Sequence, residues 1–227
     1  MTIVKRSVHL KFEYILFDLD ETLYPREAGL MKVMQERIQR FMTQTVGIPA
    51  DDVATKRHIY YQQYGTALRG LMEEYNIDPV EYLNFVHDLN PRDFFGVSPP
   101  LDSMLAEIPL RKVIFTNADQ YHAERVLDTL QVRHHFEQII NIKTVNYICK
   151  PDPRAYQHVL QLLGVSGEQC IMVDDTPRNL IPAKDLGMTT IMVNGNGGGS
   201  SAIDYSVLTV FHVGRVIKNL IPMAGQP

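Results

Sequence analysis

Four short apolar segments, at 14–17, 112–115, 139–142 and 171–173, with a fifth at 190–193, constrain this chain more than any other feature. Most are rich in Ile, Val and Phe, and none alternates strictly with polar residues. Strands buried on both faces read this way, as in a parallel sheet with helices above and below. The intervening segments agree. Residues 120–130 place Val126, Leu127 and Leu130 on one helical stripe. Residues 154–163 do the same with Tyr156, Val159, Leu160 and Leu163, closed by Gly164, and 179–186 ends at Gly187. Strand alternating with helix predicts an α/β fold, a doubly wound parallel sheet of Rossmann-like form.

One interval breaks the rhythm. Roughly ninety residues separate the first two strands, where a crossover needs only about a dozen. The interval must carry structure of its own. Residues 29–46 are amphipathic, with Leu30, Val33, Met34, Ile38, Phe41 and Met42 on one face. Two further helices are expected at 51–64 and 67–75, broken near Gly65. A short fourth begins at Pro79, capped by Asp78. The reading is a helical cap at 25–95 inserted after the first strand, with 1–24 and 96–227 forming the catalytic core.

Composition narrows the function classes. The 227 residues are 45% hydrophobic and 21% charged, which excludes a disordered or fibrous chain. Basic residues number 22 and acidic ones 26, so the net charge of −4 argues against a nucleic-acid partner. No apolar run reaches the ~20 residues needed to span a bilayer, and the N-terminus lacks a secretory apolar region. A cytoplasmic protein with no membrane partner is expected, its two cysteines, Cys149 and Cys170, reduced and structural. The number of chains per molecule is left open. The glycine-rich stretch 195–201 lacks the ending of a phosphate-cradling loop and reads as a surface loop.

The chemistry lies where the strands end. The first runs into Asp18-Leu19-Asp20-Glu21-Thr22, the second into Thr116-Asn117, and the 171–173 strand into Asp174-Asp175. Lys150 precedes Pro151-Asp152-Pro153. Each piece alone fits turn or cap chemistry. Together they fall on one rim, because ligands of an open parallel sheet bind at the strands' carboxyl ends. Carboxylates gathered there repel one another unless a cation sits among them. An oxygen-only donor set without clustered His or Cys points to Mg²⁺.

Phe17-Asp-Leu-Asp-Glu-Thr-Leu23, Phe115-Thr-Asn117, Lys150-Pro-Asp-Pro153 and Val173-Asp-Asp175 resemble, in order, the four motifs of the haloacid dehalogenase superfamily of phosphohydrolases. The match spans 14 to about 194, and the inserted segment corresponds to that superfamily's cap. Asp-Glu-Thr-Leu-Tyr-Pro, Tyr-Gly-Thr-Ala-Leu-Arg-Gly-Leu and Ile-Cys-Lys-Pro-Asp-Pro are most similar to the pyrimidine 5′-nucleotidase branch.

The resemblance implies phosphoryl transfer through an aspartyl-phosphate. Asp18 matches the nucleophile and Asp20 the acid/base. Thr116, with Asn117 beside it, would hydrogen-bond the phosphoryl oxygens, and Lys150 would hold nucleophile and phosphate. Mg²⁺ would be bound by the Asp18 side chain, the Asp20 carbonyl and Asp175, with Asp174 in the outer shell. The charges balance: a phosphate dianion beside ionised Asp18 faces three positive charges on Mg²⁺ and Lys150. Asp20 argues for a phosphate ester over a carbon–halogen bond, since a halide leaves without a proton.

Specificity is expected from the cap, where Tyr60, Tyr61, Tyr64 and Arg69 are the candidates. Tyr60 and Tyr61 are read as packing, which leaves Tyr64 and Arg69 to bind substrate. The eight histidines show no ligand spacing. The substrate expected is a pyrimidine nucleoside 5′-monophosphate. The alternatives are phosphoglycolate, a sugar phosphate, a phosphomutase reaction, or a non-catalytic phospho-acceptor or partner-binding role.

Overall fold

The structure is a computed structural model that describes residues 12–195 and 200–221. The N-terminal eleven residues and most of the glycine-rich stretch expected as a loop lie outside the described residues. Among the described residues six strands form one sheet: Tyr14–Phe17 (β1), Arg111–Phe115 (β2), Phe136–Ile140 (β3), Cys170–Asp174 (β4), Thr189–Val193 (β5) and Tyr205–Val207 (β6). Their order is β3-β2-β1-β4-β5-β6, and every pairing is parallel.

The missing alternation in the apolar segments has a direct cause, since both faces of the sheet are covered. Ile15, Phe17, Ile114, Ile171 and Val173 point into one apolar cluster. Tyr14, Leu16, Val113, Phe115 and Met172 point into the other. Burying both sets leaves no polar face for the pattern to mark.

Four helices lie between β1 and the second strand's own helix: Leu30–Arg40 (α1), Ala50–Tyr64 (α2), Ala67–Tyr75 (α3) and Pro79–His87 (α4). The amphipathic stretch begins as α1 and continues in a wider helical turn at Phe41–Thr45. Asp78 caps α4 by accepting from Val80 N at 2.8 Å. Their apolar sides do not form a separate core. Leu30, Phe41, Tyr60, Leu71 and Leu83 belong to the same cluster as Ile15 and Phe17 of the sheet.

The remaining helices are Pro99–Glu107 (α5), Gln120–Leu130 (α6), Pro153–Leu163 (α7), Pro177–Asp185 (α8) and Val213–Leu220 (α9). α5 and α9 pack on the insert's side of the sheet, α7 and α8 on the other. Gly164, at φ +69°, closes α7 by donating to the Gln161 and Leu160 carbonyls. Three elements were not expected beforehand: α5, α9 and β6. The strand expected at 139–142 instead begins at Phe136.

Candidate active site

The strand order reverses around β1. Its neighbours β2 and β4 lead away in opposite directions, which opens a crevice at their carboxyl ends. Asp18 follows β1 there, Thr116 follows β2, and Asp174 ends β4. A cavity of about 620 Å³ lies between this rim and the inserted helices. Asp18, Asp20, Thr116, Asn117, Lys150 and Asp175 all line it.

Lys150 is the hub. Its side chain is only 1% exposed, and its Nζ donates to Asp18 Oδ1 at 2.7 Å and to Asp174 Oδ2 at 2.8 Å. Burial works against its charge, but the two carboxylates outweigh it and keep the amine an ammonium. A clamp sets the residue in place. The Asn117 amide accepts from Lys150 N at 2.8 Å and donates to Lys150 O at 3.0 Å. Asn117 is thus committed to the lysine backbone, whereas Thr116 Oγ1 accepts from Ala118 N and keeps its own proton to donate.

The carboxylates are not equivalent. Asp18 Oδ2 accepts from Thr22 Oγ1 at 3.1 Å, and that hydroxyl also accepts from Asp175 N, tying β1 to β4. Burial pushes the Asp18 carboxyl well up; Lys150 opposes the rise, and Asp174 and Asp175 add to it. Asp174 is fully buried, and both its oxygens are engaged, by Lys150, Asn179 and Thr176 N. Asp175 has weaker partners, Arg26 at 3.4 Å and Thr176 Oγ1 at 3.3 Å. Burial and the Asp174 charge push its carboxyl up to about 6.

One oxygen each from Asp18, Asp174 and Asp175 lie within 4.8 Å of one another. Three carboxylates this close, two of them held above their ordinary range, are a donor set that a hard divalent cation satisfies. The residues present therefore fit Mg²⁺.

Asp20 sits in a different network. Tyr24 OH at 2.7 Å and His122 Nε2 at 2.8 Å both meet its Oδ1, and the residue lines the cavity. Burial opposes the charge, but His122 and Tyr24 outweigh it and hold the carboxyl below its usual range. His122 stacks on His87 at 4.5 Å, and His87 Nδ1 lies 3.2 Å from Asp119 without hydrogen-bond alignment. Burial pushes His87 down, towards the neutral ring.

His122 and Tyr24 had escaped notice. The signal was available: Asp119 caps α6 by accepting from His122 N, so the first turn of that helix stands at the strand rim. A first-turn side chain at that position faces the site.

The expected substrate pair lies elsewhere. Arg69 Nη1 donates to the Tyr147 carbonyl at 3.3 Å, and Nη2 is 3.8 Å from Glu73, so the guanidinium ties α3 to the loop before Lys150. Tyr64 packs on the insert's apolar cluster, 6.1 Å from the Tyr60 ring. Neither side chain lines the cavity. Tyr60 is buried, as read, and donates to Glu74 at 2.7 Å. Tyr61, read as packing, is 44% exposed and lines the cavity, its ring beneath Arg178 at 4.7 Å. The Arg178 guanidinium also donates to the Tyr61 and Gln62 carbonyls at the end of α2. Gly65 follows at φ +88°; a Cβ there would lie 2.9 Å from the Lys150 carbonyl oxygen. Only glycine lets the insert approach the lysine loop so closely.

This fold and rim define a class. The model of the haloacid dehalogenase-like hydrolase family matches residues 12–187, and the chain belongs to that family. Among particular relatives, Phosphate metabolism protein 8 of Saccharomyces cerevisiae is 28% identical over 187 residues, which cover 76% of this chain and 58% of that protein. Phosphoglycolate phosphatase of Rhodospirillum rubrum is 23% identical over 212 residues, covering 87% and 86% of the two chains. The chain spans only 58% of the yeast protein's length, and 11% of the rat bifunctional epoxide hydrolase 2 that it also matches. A solved phosphatase of Thermococcus onnurineus superposes with a TM-score of 0.62 at 21% identity, covering 91% of this chain and 98% of that one. The L-2-haloacid dehalogenase of Xanthobacter autotrophicus gives 0.59 at 14%, covering 94% and 100%. At such identities these likenesses show the shared fold. Among the described residues no helix is long and apolar enough to cross a membrane.

Proposed function

We propose that the protein is a Mg²⁺-dependent phosphomonoesterase whose nucleophile is Asp18. The observation that carries this reading is the pairing of two carboxylates with separate fates on one strand end. Asp18 is held by Lys150, and Asp20 is anchored through Oδ1, while among the described residues no hydrogen bond reaches its Oδ2.

Asp18 attacks phosphorus, and the ester P–O bond breaks as an Asp18–phosphate bond forms. His122 and Tyr24 hold Asp20 ionised in the free site; the negative charge of the bound phosphate favours its protonation. The acid then gives that proton to the departing oxygen and takes one back from the water that hydrolyses the aspartyl-phosphate. Thr116 donates its hydroxyl proton to a phosphoryl oxygen. Lys150 fixes the Asp18 carboxylate and neutralises charge, and Asn117 fixes Lys150. Mg²⁺, held by Asp18, Asp175 and the Asp20 carbonyl, would supply the remaining positive charge. Asp174, the more fully engaged carboxylate, with Lys150, Asn179 and Thr176 N on it where Asp18 has Lys150 and Thr22, would orient Lys150 from the outer shell.

The substrate proposed is a pyrimidine nucleoside 5′-monophosphate, on the resemblance to the nucleotidase branch and a cavity large enough for more than a phosphate. A small phosphorylated acid is the second reading, favoured by the likeness to a phosphoglycolate phosphatase. Phosphate release from UMP, CMP, phosphoglycolate, a sugar phosphate and phenyl phosphate, with Mg²⁺ and with EDTA, tests both. Release that persists in EDTA overturns the metal. A preference for phosphoglycolate or the sugar phosphate over UMP and CMP overturns the nucleotidase.

A further inference from the structure

The two walls of the cavity carry opposite chemistry. Its carboxylates, Asp18, Asp20, Glu21 and Asp175, all belong to the rim. Helices α1–α4 contribute no carboxylate to the lining and one arginine, Arg57, from the middle of α2. The other arginines around the cavity are committed. Arg26 pairs with Glu21, Arg37 with the Phe85 carbonyl, Arg69 with the Tyr147 carbonyl and Arg178 with the end of α2. Arg57 is half-buried, yet among the described residues it makes no hydrogen bond or ion pair. Its charge reaches the Tyr82 phenol, which burial pushes up and Arg57 draws partly back. Tyr82 also lines the cavity, whose roof combines the apolar Met34, Ile38 and Leu83 with the polar, uncharged Gln35.

A half-buried guanidinium that lines a cavity and meets no acceptor among the described residues keeps its donors available to a ligand. Its five donors sit in a planar fork that matches a paired oxygen edge. We infer that Arg57 forms a second subsite, on the roof of the cavity, for an oxygen-acceptor edge on the substrate's leaving group. The inference rests on the phosphomonoesterase reading and adds what selects the ester. The phosphoryl group engages the rim at Lys150 and Thr116, where a bound cation would add positive charge, and the distal acceptor engages Arg57. Two sources supply acceptors to it, a carbonyl oxygen of a pyrimidine, joined in cytosine by N3, and the paired oxygens of a carboxylate on a phosphorylated acid.

The test compares wild type, Arg57→Ala and Arg57→Lys on UMP, CMP, 3-phosphoglycerate and phenyl phosphate, which has no distal acceptor. Thermal melts confirm that each variant is folded. Arg57→Ala should lower kcat/KM about ten- to hundredfold on the ester that carries the matching acceptor, and less than threefold on phenyl phosphate. Arg57→Lys should recover part of the loss, since it keeps the charge without the fork. Selective loss on UMP and CMP assigns a base, and selective loss on 3-phosphoglycerate assigns an acid. Ratios that agree within threefold across all four esters overturn the subsite. If wild type hydrolyses none of them, the phosphatase reading fails by itself, and calorimetry with the same compounds decides the subsite. Binding weakened tenfold or more in Arg57→Ala upholds it; absent or unchanged binding overturns it.

Discussion

The floor and the roof of the cavity are built by opposite rules. On the floor nearly every polar atom is engaged: Lys150 by two carboxylates, Asp174 through both oxygens, Asn117 through both ends of its amide. On the roof, Arg57 has no such partner among the described residues, and Tyr61 is 44% exposed. Bond-making atoms must be held in place before the substrate arrives, because positioning and fixed charge do most of the work in phosphoryl transfer. Groups that choose a substrate must instead be left wanting one. A floor defect should therefore damage every ester alike, and a roof defect should discriminate.

The largest effect is expected at Asp18. Asp18→Asn should lower turnover of every ester by at least about a thousandfold, because an amide does not attack phosphorus. The fold should survive. The folded state holds this carboxyl above its ordinary range, so ionising it near neutral pH costs stability, and the amide removes that cost. A Tm equal to or above wild type in metal-free buffer, with activity gone, separates the chemistry from the scaffold. A large fall in Tm would break the contrast between the walls.

Next in size is Asp20→Asn. General acid–base loss typically costs 10²–10⁴-fold, and it should appear in full on phenyl phosphate. p-Nitrophenyl phosphate, whose leaving group needs little protonation, should suffer less. Equal losses on the two aryl esters would leave Asp20 as a structural partner of His122 and Tyr24.

Asn117→Ala removes the clamp on Lys150. It should lower stability by about 1–3 kcal/mol and slow all esters together, since the lysine and not the leaving group is released. Chemical denaturation and the panel of ratios read both parts. A selective effect on one ester would contradict the floor assignment.

The smallest effect is expected from Arg69→Ala, a residue of the insert that faces away from the cavity. Its ratios on UMP and phenyl phosphate should agree within a factor of three, with a Tm lowered slightly by loss of the Tyr147 contact. Selectivity lost here and kept in Arg57→Ala would return the roof to the residue first singled out from sequence.

The floor was legible in the sequence because its parts are short runs fixed by topology. Once the strands are known to be parallel, Asp18, Thr116, Asn117 and Asp174 must share an edge. Helices with a cap or a closing glycine, such as α4 and α7, were legible for local reasons. β6 is three residues long, two of them exposed, so it carried no readable pattern, whereas α9 did carry one, Val213, Val216, Ile217 and Leu220 on one stripe, and was passed over. β3 was misplaced because it is an edge strand whose Glu137 is exposed. The roof was the hardest part. Tyr60, Tyr61, Tyr64 and Arg69 cluster in sequence, but which way each faces depends on how α2 and α3 meet. That meeting is fixed by Gly70, where a Cβ would lie 2.3 Å from the Tyr60 ring. The pairing of His122 with Asp20 spans 102 positions and has no local signature.

The apolar cluster shared by the insert and one face of the sheet has a consequence for how such a protein can diversify. Leu30, Phe41 and Leu83 complete the same interior as Ile15 and Phe17, so the insert is not a lid that can be exchanged whole. A transplanted insert would have to bring matching volume for the sheet beneath it or leave voids in the shared core. New substrate preferences are reached more cheaply by point changes on the cavity side of α1 and α2, where side chains such as Gln35, Arg57 and His58 contribute nothing to that interior. Met34, Tyr82 and Leu83 serve both the interior and the cavity, so the capacity to change is greatest at the positions that line the cavity alone.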